Sequence, residues 1–190
     1  MRLKSPITLI LLGDIAAGKG TQAKILAKKY GLKHIDTGAF SRKMAEQHKS
    51  FKRIKKGRLA PSHAIQNFLK SQIVSLEPKQ GVLVDGGKMP AEARLVYKLF
   101  LNQKRPILVI YLTISQTESF RRALGRLQQE YRADDTLEAL RNRIKYYRDI
   151  YSKTIRFWRD KKFLHTISGK GNMSVVNKRL VKLINGVYKD

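Results

Sequence analysis

The residues whose types and spacing best suit chemistry lie near the start of the chain, in the segment Gly13-Asp-Ile-Ala-Ala-Gly18-Lys19-Gly20-Thr21. Glycines at this spacing, with a lysine directly after the second, are typical of a loop whose backbone N–H groups surround a phosphate. The lysine of such a loop carries a positive charge to the outer phosphates of a nucleotide. We therefore predict a phosphate-binding site that comprises Gly13, Ala16, Ala17, Gly18, Lys19, Gly20 and Thr21.

A phosphate loop requires a buried strand before it and a helix after it, because the helix N-terminus must face the anion. Residues 7–12 form a nearly continuous apolar run directly before the loop. After the loop, Ala23, Leu26 and Ala27 mark one apolar face at helical spacing, and Gly31 is a typical residue to end that helix. The elements around the loop are therefore those that phosphate binding needs.

Four more apolar runs predict the rest of a sheet, at residues 33–36, 82–85, 107–113 and 163–167. Short runs rich in Ile, Leu and Val are typical of strands that are buried on both faces of a parallel sheet. Ser115-Gln-Thr-Glu118 has the pattern of a capping box for a helix that extends to about residue 128. Residues 135–138 predict the start of a long helix that continues through Trp158. This alternation predicts an α/β doubly wound fold, in which ligands bind at the carboxyl ends of the strands.

Composition restricts the class of protein. The chain has 190 residues, which is the length of one domain, and 40 Lys and Arg against 14 Asp and Glu give a net charge of +26. A hydrophobic fraction of 42% argues against disorder, and the absence of cysteine excludes a disulfide framework and suits a reducing compartment. Since no apolar stretch approaches the ~18 residues of a membrane helix, we expect a cytoplasmic protein without a membrane partner.

The loop variant Gly18-Lys-Gly-Thr-Gln22 resembles that of adenylate kinases and related nucleoside monophosphate (NMP) kinases, and the resemblance covers nearly the whole chain. The other matching segments are Asp36-Thr-Gly-Ala-Phe-Ser-Arg42, Gly57-Arg-Leu-Ala60, Gly81-Val-Leu-Val-Asp85-Gly86, Arg122-x-x-x-Arg126, Arg132 and Arg143. The resemblance implies an α/β P-loop three-layer sandwich with a central five-stranded parallel sheet. It divides the single kinase domain 1–190 into a core of residues 1–36, 80–126 and 133–190, an NMP-binding insertion 37–79 and a short lid 127–132.

The same resemblance implies an enzyme that converts ATP and an NMP into ADP and a nucleoside diphosphate (NDP), with Mg²⁺ and with AMP as the default acceptor. The implied catalytic residues are Lys19, Arg126, Arg132 and Arg143. ATP would be bound by the phosphate loop together with Arg122, Arg126 and Lys170. The acceptor would be bound by Thr37, Gly38, Arg42, Leu59, Ala60, Gly86 and Lys88. Asp85 would orient water on Mg²⁺, and a monomer that takes nucleotide substrates is expected.

The acceptor side departs from the family pattern. Ala39 stands where the family has a carboxylate, and Ile15-Ala16 replaces Pro-Gly in the phosphate loop. Met89 occupies the place of an arginine that would contact both the acceptor and the transferred phosphate, and the glutamine expected for adenine is not evident. Lys88 is the candidate to supply the missing charge, although a lysine lacks the two-pronged geometry of arginine.

Two other functions stay open at this point. The altered acceptor segment permits a P-loop kinase that acts on another metabolite or on a polynucleotide end. The large positive charge permits a kinase-like protein that binds nucleic acid, because residues 42–58 hold eight basic residues against one acid, Glu46, with Phe51 among them. The four histidines show no metal-binding spacing and are predicted to be structural.

Overall fold

The computed structural model describes residues 6–56, 58–129 and 150–188, without the side chains of residues 53, 55 and 126–129. The strands are β1 (Thr8–Gly13), β2 (Lys33–Asp36), β3 (Val82–Asp85), β4 (Leu108–Thr113) and β5 (Leu164–Ser168). The α-helices are α1 (Lys19–Tyr30), α2 (Thr37–Gln47), α3 (Ser62–Val74), α4 (Pro90–Asn102), α5 (Gln116–Gln129), α6 (residues 150–160) and α7 (Met173–Tyr188). A 3₁₀-helix spans Lys49–Lys56.

The five strands form one parallel sheet in the order β2-β3-β1-β4-β5. β1 lies in the middle, and all six of its residues are buried. A central strand that helices cover on both faces is buried on both sides, which is why β1 consists almost entirely of apolar residues. The predicted α/β fold with a five-stranded parallel sheet is confirmed.

Alternate residues of β1 point into two separate cores, as the period of a strand requires. Leu9 and Leu11 pack with α1 and α7 on one face of the sheet. Ile10 and Leu12 pack with α3, α4 and α6 on the other face, where Trp158 is 1% exposed. The molecule therefore has three layers, with helices on each side of the sheet.

The predicted strand bounds agree closely with the structure. β2 and β3 have the predicted bounds, whereas β1, β4 and β5 begin one residue later than their apolar runs. The helix after the phosphate loop ends at Gly31, which adopts a left-handed conformation with φ 63° and donates its N–H to the carbonyl of Ala27. Gly31 therefore ends α1 in the way that the sequence predicts.

The capping box predicted at the start of α5 is only half right. The Glu118 backbone N–H donates to Ser115 Oγ at 3.2 Å, as predicted. The Glu118 carboxylate instead accepts hydrogen bonds from Arg121 and Arg122. The charged guanidinium groups are stronger partners for a carboxylate than a backbone amide. The predicted start of the long helix lies outside the described residues, and its last part, 150–160, is helical. Within the described ranges, no helix combines the length and apolar character needed to cross a bilayer.

Candidate active site

The phosphate loop connects the buried end of β1 to the N-terminus of α1, at the carboxyl edge of the sheet. Gly18, the residue before the helix, has φ 85°. Ala16 also adopts positive φ, 58°, which costs an L-residue roughly 1–2 kcal/mol. This strain gives a physical reason for the glycine that the family pattern has at this place. The loop holds its conformation despite the alanine because its surroundings fix it.

Asp14 ties the loop to the end of β4. Its carboxylate accepts hydrogen bonds from the Tyr111 hydroxyl, from Thr113 Oγ1 at 3.0 Å and from the Ile114 backbone N–H at 2.9 Å. Burial, together with the bond to Asp14, raises the pKa of Tyr111, so its hydroxyl stays protonated and can donate. The phosphate loop is thereby anchored to the next strand of the sheet.

Two more side chains fix the loop through its backbone. The Gly13 N–H donates to the Tyr151 hydroxyl of α6 at 2.8 Å. The Ser119 hydroxyl of α5 donates to the Ile15 carbonyl at 2.6 Å. Since the loop is held from β4, α5 and α6, its remaining N–H groups are pre-arranged for an anion rather than ordered at its arrival.

Lys19 lies at the centre of the site, where its ammonium group contacts the carboxylate of Asp85. Asp85 is 2% exposed and ends β3, the strand beside β1. Burial, with the positive charges of Lys88 and Arg42 and against the negative charge of Asp36, lowers the pKa of Lys19 to about 7. The lowered pKa means that the surroundings disfavour the charged ammonium, and a phosphate group beside Lys19 would add a second anion to Asp85 and favour the charged form.

A cavity of about 900 Å³ extends from the phosphate loop to α2, the 3₁₀-helix and α3. A cavity of this size is typical of a small-molecule site. It brings together residues that were predicted for the donor, the acceptor and the metal. Those residues are Gly13, Ala16, Ala17, Gly18, Lys19, Gly20, Thr21, Thr37, Gly38, Arg42, Leu59, Ala60, Asp85, Lys88 and Arg122.

Of the predicted residues that the structure describes in full, two do not line this cavity. Gly86 is buried directly after β3 and approaches Thr37, and Lys170 is exposed on the loop after β5. Arg126 belongs to α5, but its side chain is outside the described part of the structure. Arg132 and Arg143 lie outside the described residues, so their roles stay predictions.

Arg122 is held at the donor end of the cavity by a network of hydrogen bonds. Its Nε donates to the Glu118 carboxylate at 2.6 Å, and its terminal nitrogens donate to the carbonyls of Gly169 and Gly171 at 3.1 and 3.4 Å. Hydrogen bonds from Arg121 and Arg122 lower the pKa of Glu118 to about 2. The guanidinium of Arg122 is thus fixed before any ligand arrives.

Comparison with known proteins agrees with this geometry. A protein-family profile described as an AAA domain matches residues 12–141. The chain is 32% identical to an adenylate kinase of Rhodococcus erythropolis over 90% of this chain and 95% of that protein. The chain belongs to the adenylate kinase and NMP kinase family. An adenylate kinase of Stenotrophomonas maltophilia is 29% identical over 94% of this chain and 99% of its own length. A probable UMP-CMP kinase 2 of Arabidopsis thaliana is 24% identical over 96% of this chain and 71% of its own length.

As a member of this family the protein is a phosphotransferase. The structure also shows where the two residues lie at which the predicted acceptor side departs from the family pattern. Lys88 and Met89 both line the cavity. The Lys88 carbonyl accepts a hydrogen bond from Thr154 of α6 at 2.7 Å, which fixes the backbone at this point. The Lys88 ammonium is close enough to Lys19 to lower its pKa. This nearness supports the expectation that Lys88 carries the charge that Met89 lacks.

Several residues of this kinase site were not predicted from the sequence. Asp14 and Tyr151 act through contacts between distant segments, for which no local pattern exists. Glu118 contacts Arg122 one helical turn away, and this i,i+4 spacing is a local signal that could have found it. Glu92 also lines the cavity, at 4% exposure, and burial raises the pKa of its carboxyl. His34 was predicted to be structural, yet its Nε2 lies 3.8 Å from Asp85 Oδ2. For Asp14 and His34 the signal would have been the strand order, which places them near one edge of the sheet.

The aromatic residue that supported nucleic-acid binding does not have the exposure that base stacking needs. Phe51 is 4% exposed and packs edge-to-face against Phe40 at 6.0 Å. Phe51, Ile54 and Ala45 are the buried residues of one small hydrophobic cluster. The relatives are kinases, and they do not favour either of the two alternative functions.

Proposed function

We propose that this protein transfers the γ-phosphoryl group of ATP to an NMP, which gives ADP and an NDP. The observation that carries the proposal is the single cavity shared by the phosphate loop, Lys19 and the acceptor-side cations Arg42 and Lys88. Phosphoryl transfer depends on positioning and charge neutralisation, and a cavity with cations at both ends supports both. AMP is the acceptor that the family resemblance implies.

Lys19 and the loop N–H groups would hold the phosphates of ATP, while Arg122 packs against its base. Arg42 and Lys88 would hold the acceptor phosphate, with Thr37, Gly38, Leu59 and Ala60 around the acceptor nucleoside and Gly86 shaping this end of the site. We propose that Arg126, Arg132 and Arg143 stabilise the transferred group, which their order in the sequence supports. We also propose, from the resemblance to the family, that residues 37–79 form the NMP-binding insertion and that residues 127–132 form a lid.

Mg²⁺ suits the donor set at the carboxyl ends of β2 and β3. Asp36 and Asp85 are partners in the sheet register, and ligand atoms of His34, Asp36 and Asp85 lie within 4.8 Å of one another. Carboxylate oxygens are ligands that Mg²⁺ prefers, often through water. Asp85 would hold the ion through water, and the ion would neutralise charge that develops on the phosphates. The proposal also includes a monomer, as the family resemblance implies, and a cytoplasmic location, because the lack of cysteine suits a reducing compartment.

An acceptor panel tests the function. Purified protein is incubated with ATP and Mg²⁺ and with each common NMP, a set of sugars or an oligonucleotide end, and ADP release is followed. We expect one molecule of ADP to be released for each molecule of NDP that is formed. Phosphorylation confined to a sugar or a polynucleotide end would overturn the proposed acceptor class.

Glu118→Gln is expected to raise KM for ATP about three- to tenfold, because Arg122 loses its ionic partner, while kcat stays within about twofold. The measurement is initial velocity against ATP concentration. Because the folded pKa of Glu118 is depressed to about 2, its ionic contact persists above pH 4.5 and is lost only as the pH falls toward 2. The wild-type KM should therefore show no change from this group between pH 5 and 8. Glu77→Gln, at an exposed acid, is the matched control, and an equal effect in both variants would contradict the role of Glu118.

A further inference from the structure

The acceptor end of the cavity contains a buried acid that the proposed phosphate chemistry does not use. Glu92 lies in the first turn of α4, is 4% exposed and lines the cavity. Its Oε1 accepts a hydrogen bond from Ser62 Oγ at 3.1 Å, and its Oε2 accepts one from the Met89 backbone N–H at 3.1 Å. Each carboxylate oxygen has a second lone pair, so both can accept one more hydrogen bond.

The wall beside Glu92 is apolar. Ser62, its hydrogen-bond partner, belongs to the segment that also brings Leu59, Ala60 and Ile65 to the cavity. Ile54 of the 3₁₀-helix lines the same end. Apolar side chains next to a buried acid suit an aromatic heterocycle, whose faces are apolar and whose edge carries donors and acceptors.

The charge of the Glu92 side chain determines which edge of a heterocyclic base can bind to it. The bonds from Ser62 and Met89, together with the nearby positive charge of Lys88, stabilise the carboxylate and oppose the effect of burial. A carboxylate accepts hydrogen bonds and donates none, so a base that presents two adjacent N–H donors satisfies both of its oxygens. A base that presents one donor and one acceptor sets its acceptor lone pair against one carboxylate oxygen, which is repulsive and loses one charge-assisted hydrogen bond.

We propose that Glu92 reads the base of the acceptor nucleotide and selects a purine with two adjacent N–H donors, as guanine has at N1 and at its 2-amino group. This inference rests on the proposed function, because it assigns the base of the same acceptor. Adenine offers one donor beside an acceptor nitrogen, and hypoxanthine has the N1–H but lacks the 2-amino group. GMP and IMP therefore differ by the one group that is expected to matter.

Glu92 also has a structural role, since its bond to Met89 N–H belongs to the capping box of α4. Glu92→Gln keeps the shape and one acceptor oxygen but replaces the other oxygen with a donor amide. The glutamine therefore matches a base edge with one donor and one acceptor. Ser62→Ala is the matched control, because it removes a bond to the carboxylate without changing the atoms that face the base.

The experiment compares GMP, IMP and AMP as acceptors, with ATP and Mg²⁺, at pH 8, because burial raises the pKa of Glu92 and an alkaline buffer favours its ionised form. The wild-type protein should show at least a tenfold higher kcat/KM for GMP than for IMP. In Glu92→Gln this ratio should fall below about threefold, and the AMP:GMP ratio should rise at least tenfold. Ser62→Ala should lower the thermal midpoint and keep the GMP:IMP ratio within twofold of wild type.

Binding of the three nucleotides is measured by calorimetry on the same proteins, so that the base inference does not depend on turnover. Equal wild-type values for GMP and IMP, or ratios that do not change in Glu92→Gln, would overturn the role of Glu92. Glu92-dependent binding of GMP without phosphoryl transfer would support the base inference and contradict the proposed kinase activity. The absence of both binding and transfer would overturn both.

Discussion

Lys19→Ala is expected to lower kcat/KM for phosphoryl transfer by about 10²–10³-fold, or roughly 3–4 kcal/mol of transition-state stabilisation. Lys19 is the first residue of α1, and its ammonium group contacts the Asp85 carboxylate in the cavity. The transferring group carries its charge on phosphate oxygens, and Lys19 is the loop cation available to neutralise it. The loss should therefore appear mainly in kcat.

The measurement is steady-state turnover of purified variants with ATP and an accepted NMP. Lys19→Met is made alongside, because it keeps the length of the side chain while removing its charge. Lys28→Ala is the matched control, since Lys28 is an exposed lysine on the same helix. Removing Lys19 also leaves Asp85, 2% exposed, without its cation, so the free energy of unfolding is measured for each variant. Wild-type turnover in a folded Lys19→Met would show that the loop does not bind the transferred phosphoryl group.

Gly86→Ala is expected to destabilise the protein by at least about 3 kcal/mol. A Cβ at this position would lie 1.8 Å from Thr37 Oγ1, 2.8 Å from Thr37 Cβ and 2.9 Å from Thr37 Cγ2. The contact involves the base of the Thr37 side chain, which cannot rotate away, and Thr37 Oγ1 also donates to the Asp85 carbonyl at 3.2 Å. The φ of 143° at Gly86 adds backbone strain for any L-residue.

Chemical denaturation compares this variant with Gly186→Ala, which makes the same change in α7, where a Cβ meets nothing within 4 Å. The control should be stabilised by up to about 1 kcal/mol, because alanine favours a helix over glycine. The two substitutions therefore have opposite expected signs. Equal stability of Gly86→Ala and wild type would contradict the close approach of β3 and α2 at the acceptor edge.

The core of the fold follows from local patterns in the sequence. The strand at 82–85 was predicted with its observed bounds, because a short apolar run between turn residues has one stable arrangement in a parallel sheet. The phosphate loop was predicted because its spacing and its flanking elements lie in one segment. Gly31 ended its helix as predicted, since a residue with positive φ is needed there.

The supporting contacts of the site could not be predicted in the same way. Asp14 and Tyr111 are 97 positions apart, and Gly13 and Tyr151 are 138 apart. Such contacts depend on strand order and on helix packing, which single-residue patterns do not specify. Glu92 was overlooked because its capping role is local, whereas its place in the cavity results from the packing of α3 against α4.

One residue, Phe51, is more buried than its position in a basic segment indicates. Phe51 lies in a segment dominated by lysine and arginine, which favours an exposed aromatic side chain. The structure buries Phe51 against Phe40, while basic side chains cover the outside of the 3₁₀-helix. The cations that line the cavity account for only a small part of the 40 Lys and Arg of the chain.

Transfer of a label from ATP to an NMP tests the central claim most directly. The protein is incubated with γ-³²P-labelled ATP, Mg²⁺ and an equimolar mixture of AMP, GMP, CMP and UMP, and the products are separated by chromatography. The account predicts that the label appears in the β-phosphate of at least one NDP, that unlabelled ADP forms in equal amount, and that Lys19→Ala reduces both by at least about 100-fold. Label that appears only as inorganic phosphate, or NDP formation that persists in Lys19→Ala, would contradict it.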